Sequence, residues 1–150
     1  MTGADPFDLD RFVQAQDQGG TYPAALQELR RGRKASHWMW FVFPQLAGLG
    51  SSPTARFFAI RSLDEARAYL GHPVLGTRLR EAAEAVHSAP AVSAEALLGG
   101  IDAQKLRSSM TLFVRAAPEE PLFQRVLDRW YGGAGDPATD RLLAAGGTDP

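Results

Sequence analysis

The densest gathering of reactive side chains lies between Gly32 and Gln45, where Lys34, Ser36, His37, Trp38, Trp40 and Gln45 alternate with apolar residues. Lysine can hold a phosphate or carboxylate as a point charge, a tryptophan face can stack on a planar ring, and serine and glutamine add neutral donors. A free imidazole's pKa lies near neutrality, which makes a histidine, here His37, the natural general acid or base. A second set, Asp102, Lys105, Ser108 and Ser109, follows at helical spacing, with Thr111, Asp136 and Thr139 beyond it. His37 and Asp102 form the candidate catalytic pair, Asp102 as the carboxylate that orients the imidazole if their helices meet. Lys34, Ser36, Trp40, Gln45, Lys105, Ser108 and Ser109 are the candidate ligand contacts. Such a set suits an anionic or nucleotide-like small molecule.

Each of these residues also has a plainer role. A buried histidine bonds to a backbone carbonyl, a lysine beside aromatic rings makes a cation-π contact, small hydroxyls ease helix packing, and Asp102 and Asp136 cap helices. The competing reading is a non-catalytic protein-protein interaction module in which the same stretch is structural core. Whether the chain is an enzyme stays open between these two. No cofactor and no metal is expected. There is no cysteine, His72 and His87 lack ligand spacing, Gly48-Leu49-Gly50-Ser51-Ser52 lacks the Gly-Lys-Ser/Thr ending of a phosphate loop, and no Gly-x-Ser-x-Gly elbow occurs.

The elements that must position these groups read as helices. Asp8 caps a helix from Leu9 to Asp17, and Thr21 caps one whose inner stripe is Tyr22, Ala25, Leu26 and Leu29. Ser36 is the expected N-cap of a central helix from His37 to Phe43, stopped by Pro44. The segment from Arg56 to Ile60 carries no clear signal. Ser62 and Glu65 form a capping box for a helix through Leu70, and His72-Pro73 opens a long helix to Ser88. Ser93 caps a short helix, Asp102 caps the next from Ala103 to Ala116, Leu122 to Tyr131 is strongly amphipathic, and Asp136-Pro137 starts a last helix through Leu143.

The expected fold is therefore all-α, a compact single-domain bundle of about eight short helices. Residues 1–7 are the lead-in, 8–143 the domain and 144–150 a flexible tail. Apolar residues make up 45% and charged residues 22%, ordinary globular proportions. The net charge of -1 gives no general case for nucleic acid, which rests only on Arg30, Arg31, Arg33 and Lys34. No apolar run approaches a membrane span, and Met1–Asp8 lacks the features of a signal peptide, so a cytoplasmic chain without membrane partners is expected. A protein partner is left unknown by the sequence.

The run Gly32-x-Lys34-x-Ser36-His37-Trp38-Met39-Trp40-Phe41-x-Phe43-Pro44-Gln45, then Gly48-Leu49-Gly50-x-Ser52, resembles the signature of an uncharacterised domain-of-unknown-function family, some members of which carry the label calpastatin. Three later motifs match it as well: His72-Pro73-x-Leu75-Gly76-x-Arg78-Leu79, Asp102-x-x-Lys105-Leu106-x-Ser108-Ser109-Met110-Thr111-Leu112-Phe113, and Asp136-x-x-Thr139. The last is looser, because Asp140 stands where an apolar residue is expected. The resemblance spans Phe7 to about Leu143. It implies a compact all-helical fold and supplies no activity; the calpastatin label does not carry over, since calpastatin's inhibitory segments are disordered and poor in aromatic residues.

Overall fold

Amphipathic stretches punctuated by Gly, Pro and capping residues fold into helices throughout residues 4–146, which the computed structural model describes. In chain order they are α1 (Asp10–Asp17), α2 (Thr21–Arg31), α3 (Met39–Val42), α4 (Pro53–Phe57), α5 (Leu63–Gly71), α6 (Leu75–His87), α7 (Ala94–Leu98), α8 (Gly100–Ala116), α9 (Pro121–Tyr131) and α10 (Pro137–Gly146). A 3-10 turn, Gln18–Gly20, joins α1 to α2. The only extended pairing among the described residues is one parallel bridge between Leu46 and Ile60. The architecture is all-α.

Helix α8 is the axis, packed by α5, α7, α9, α10 and α3. Ala103, Leu106, Met110, Leu112, Phe113 and Val114 bury toward several neighbours at once, so α8 is apolar on more than one face, as a central helix must be. A chain of rings crosses the core from α1 to α9: Phe12 meets Tyr69 edge-on at 5.1 Å, Tyr69 meets Phe113 at 5.6 Å, and Phe113 meets Phe123 at 5.7 Å. The buried Tyr69 hydroxyl accepts from Gln16 Nε2 at 3.2 Å and donates to the Phe41 carbonyl at 3.4 Å, so no polar atom is stranded there.

Several expected starts and stops differ. Asp8 sits at φ 51° and does not cap α1. The Asp5 carboxylate takes that role, accepting the N–H groups of Leu9 and Asp10 at 2.8 and 3.0 Å. Thr21 begins α2 without capping it, its hydroxyl donating back to the Gln18 carbonyl. The central helix shrinks to Met39–Val42, and Ser36 does not cap it. The unassigned segment holds the end of α4 and, at Ile60, the extended bridge. In the capping box, Ser62 Oγ accepts the Glu65 N–H at 3.1 Å, but Glu65 returns its bond to the Arg61 N–H and not to that of Ser62. Helix α6 starts at Leu75, because His72 Nδ1 accepts the N–H groups of Val74 and Leu75 and holds Pro73 in the preceding turn. Helix α8 begins at Gly100, so Asp102 lies inside its first turn and is not its N-cap. Among the described residues no helix is long and apolar enough to cross a membrane.

Candidate functional site

The site begins with a residue that helical periodicity hides. Glu28 lies beside the apolar stripe of α2 and is 6% exposed. Its carboxylate accepts the N–H groups of Ala35 and Ser36 at 2.7 and 3.0 Å, the Ser36 hydroxyl at 2.5 Å and the Trp38 indole N–H at 2.8 Å. Burial pushes this carboxyl up, but the Ser36 hydroxyl, the two backbone N–H groups and the indole together outweigh it and hold the group down at about 2. Residues 34–37 therefore wrap around an anion in place of the expected first helical turn. Ser36 is spent on that carboxylate and does not line the cleft.

The wrapped loop aims one cation at the start of α8, where a second already stands. The Lys34 N–H donates to the Leu97 carbonyl at 2.8 Å, which ties the loop to the end of α7. The Lys34 ammonium lies 5.2 Å from the Trp38 ring centroid and pairs with Asp102 Oδ2 at 2.9 Å. Lys105, one turn further along α8, approaches Asp102 Oδ1 at 3.3 Å and lies 4.7 Å from the Trp40 ring centroid. Asp102 thus bridges two lysines, both lying over tryptophan rings. The three charged side chains are only 9 to 21% exposed.

These groups share one open cleft of about 380 Å³, lined by Lys34, His37, Trp40, Asp102, Lys105 and the backbone of Gly99 and Gly100, with Ile101 at its rim. Gly99, at φ 87° and ψ 158°, holds a conformation open essentially to glycine alone, and it turns the chain from α7 into α8. The first turn of α8 carries no side-chain cap, and that turn is part of the cleft wall. With two lysines against one aspartate, the lining carries a net positive charge.

The remaining expectations divide clearly. His37 is exposed and lines the cleft, but the Asp102 carboxylate is held by lysines and makes no ion pair with His37, so it does not orient the imidazole. Gln45 lies on the other side of Trp40, in an adjoining cavity. Ser108 donates to Asp136 Oδ2 at 2.9 Å, and the same carboxylate accepts from the Thr139 hydroxyl, the Thr139 N–H and, at Oδ1, Gln104. Thr111 Oγ1 accepts the Asp136 N–H at 2.8 Å. Asp136, Ser108, Thr111 and Thr139 are therefore a buried clasp between α8 and α10, away from the cleft, with Asp136 also capping α10. Ser109 Oγ is buried without a hydrogen-bond partner among the described residues, and it does not line the cleft. The arginine cluster disperses: Lys34 turns into the cleft, and Arg30 lies 3.9 Å from Glu81 with both side chains exposed.

Sequence reasoning missed Glu28, which anchors the loop, and Gly99 and Ile101 in the cleft wall. An acid beside the inner stripe of α2, eight residues before a serine and ten before a buried tryptophan, was the available signal.

The family model described as "Protein of unknown function (DUF1810)" matches residues 6–143. No curated protein matches the chain. Among solved structures, the conserved hypothetical protein Rv1873 from Mycobacterium tuberculosis is 52% identical, with a TM-score of 0.89 over 93% of this chain and 99% of that one.

Proposed function

The chain belongs to a family of unknown function, DUF1810, and from that starting point we propose that its Lys34–Lys105 cleft binds a small molecule in which an anionic group stands beside a planar ring, as in a nucleotide. One observation carries this reading: Lys34 and Lys105 converge on a single Asp102 carboxylate, leaving one positive charge in excess beside the face of Trp40. A merely structural ion pair needs one lysine. The second cation, held over an aromatic ring at the mouth of a cleft, is available to a phosphate or carboxylate. The indole N–H of Trp38 is satisfied by Glu28 and that of Trp130 by the Val86 carbonyl, whereas the Trp40 indole N–H has no partner among the described residues. A planar ring resting on Trp40 could use both the ring face and that donor. His37 lies within the same lining as the one titratable proton donor or acceptor besides the Asp102 and lysine groups.

The test is a thermal-shift screen of the full chain against AMP, sugar phosphates and small carboxylates. A ligand at about a hundred times its dissociation constant adds roughly 2.7 kcal/mol of stability. The reading expects at least one such shift, lost in Lys34→Ala and Lys105→Ala. A shift that survives both substitutions, or none across the set, rejects it.

A protein-interaction role is the second reading, favoured by Ile101, a large aliphatic side chain 78% exposed at the rim of the same cleft. Ile101→Ser should then weaken binding of the partner and leave the small-molecule shifts unaltered.

A further inference from the structure

The wall of Trp40 that faces away from Lys105 borders a separate cavity of about 240 Å³. Its scaffold is the parallel bridge. The Ile60 N–H donates to the Gln45 carbonyl at 2.8 Å and the Ala47 N–H to the Ile60 carbonyl at 2.7 Å. Leu46 and Ile60 point into the core, 5% and 0% exposed. Side chains alternate along extended backbone, so the residues flanking each of them turn the other way. Gln45, Ala47, Ala59 and Arg61 all line the cavity as that alternation requires.

The segment is anchored from behind. Arg11 donates to the carbonyls of Phe57 and Ala59, both at 2.8 Å, and pairs with Glu65 at 2.9 Å. Glu65 in turn accepts the Arg61 backbone N–H at 3.0 Å. The one carboxylate bonded to this segment is thus neutralised by Arg11 and is not paired with the Arg61 guanidinium. Helix α4, capped by Ser52 Oγ on the Ala55 N–H at 3.1 Å, brings Arg56 to the same cavity. A Cβ on Gly50 would stand 2.6 Å from that of Ala55, so glycine there allows the loop its close approach to α4.

What this scaffold presents is a set of unused donors. Arg67, Arg78, Arg80 and Arg115 each pair with a carboxylate, but Arg56 and Arg61 make no side-chain hydrogen bond, ion pair or ring contact with a described residue. The Gln45 amide and the Trp40 indole N–H are equally unpartnered. No acidic residue lines the cavity, which separates it from the Lys34–Lys105 cleft, where Asp102 offsets one cation. Guanidinium groups match the planar fork of a carboxylate or the oxygens of a phosphate. Phe58 and Ala55 supply an apolar floor for the body of a small molecule.

We propose that this cavity is a second binding site, specific for small molecules ending in an oxyanion, with Arg56 and Arg61 holding the carboxylate or phosphate and the Gln45 amide bonding to a polar group beside it. The site does not depend on occupancy of the Lys34–Lys105 cleft. Binding of inorganic phosphate and, separately, citrate to the full chain is followed by the Gln45 side-chain amide resonances and by titration calorimetry at low ionic strength. The expected result is a saturable response of the Gln45 amide to one or both probes, weakened about tenfold or more in the Arg56→Ala/Arg61→Ala double variant and unaltered in Arg125→Ala, an exposed arginine that lines neither cavity. A response to phosphate alone or to citrate alone supports the site and names its oxyanion. Both arginines are exposed, so the double variant should melt with the parent chain; should it not, the single variants Arg56→Gln and Arg61→Gln replace it with the same expectation. Two results overturn the proposal: neither probe moves the Gln45 amide at roughly 10 mM, a limit set by the weakest affinity worth assigning to a site, or the probes bind the arginine variants as they bind the parent. AMP read at the Trp40 indole in Lys105→Ala and phosphate read at the Gln45 amide report on the two sites separately, so failure of one is distinguished from failure of the other.

Discussion

The Trp38 indole N–H donates to the Glu28 carboxylate at 2.8 Å, ten positions back along the chain, and so joins the residue before α3 to α2. That bond starts a relay. Glu28 fixes Trp38, Lys34 lies over the Trp38 ring, Lys34 and Lys105 share Asp102, and Lys105 lies over Trp40. A buried carboxylate with no cation among its described partners thus helps to place Lys34 against the Asp102 that Lys105 also meets.

Replacing Glu28 should be costly in a pH-dependent way. Glu28→Ala leaves the N–H groups of Ala35, Ser36 and Trp38 without their acceptor, a loss of about 3 to 5 kcal/mol by urea denaturation at neutral pH. The folded carboxyl is held below its ordinary value, so its stabilisation is fully present above pH 4.5 and disappears as pH falls toward 2, an amount of about 3 kcal/mol. Glu28→Gln should remove that share of the acid destabilisation. The difference between denaturation midpoints at neutral pH and near pH 3 should shrink in the variant; an unaltered difference would mean that Glu28 is not the titrating group.

Asp102 acts as a counter-charge in the cleft, so Asp102→Asn should tighten anion binding by about threefold to tenfold, read by calorimetry with AMP. Its stability cost should be about 1 to 3 kcal/mol, because Lys34, only 9% exposed, loses its carboxylate partner. Weaker binding in Asp102→Asn would show that the carboxylate touches the ligand as an acceptor.

Gly99→Ala should destabilise the chain by about 1 to 3 kcal/mol through its backbone alone, since a Cβ there meets nothing within 4 Å. Thermal melting measures this. A neutral result would mean that the turn into α8 relaxes to another conformation.

The clasp between α8 and α10 should separate stability from binding. Ser108→Ala removes a donor to the buried Asp136 carboxylate and should cost about 1 to 3 kcal/mol, with AMP affinity within about twofold of the parent. Ser109→Ala, one residue away, should be neutral or stabilising, because its hydroxyl is buried without a partner. Equal melting shifts for the two variants would contradict the assignment.

Much of the helical framework was legible because its signals are local. Ser93 accepts the Ala96 N–H as its capping role requires, Asp136 accepts that of Thr139, and Gly132 ends α9 in the left-handed region. Where the sequence misled, a partner outside the local window intervened. Ser36 reads as an N-cap until Glu28 takes its hydroxyl and the neighbouring N–H groups, and the helix expected from His37 then starts at Met39. Lys34, His37, Trp40, Asp102 and Lys105 were singled out as chemistry and do share one cleft, since Asp102 and Lys105 lie one turn apart on α8 and the wrapped loop delivers the rest. Ser36, Ser108 and Ser109 do not join them. The Ser36 hydroxyl is taken by the Glu28 carboxylate and those of Ser108 and Ser109 are buried, and nothing in residue type distinguishes a serine that bonds to a carboxylate of the protein from one that meets a ligand. Arg56 and Arg61 escaped notice because a two-rung bridge between distant segments, not periodicity, aligns Arg61 with Gln45.

The most direct measurement is the set of indole N–H resonances of the full chain titrated with AMP. Trp38 and Trp130 have their donors satisfied within the protein, and Trp40 does not. The Trp40 signal should move and saturate, with that of Trp130 unmoved, and the movement should vanish in the Lys34→Ala/Lys105→Ala variant. A Trp40 signal that stays in place while AMP binds, or that moves equally in the double variant, would contradict the assignment of the cleft.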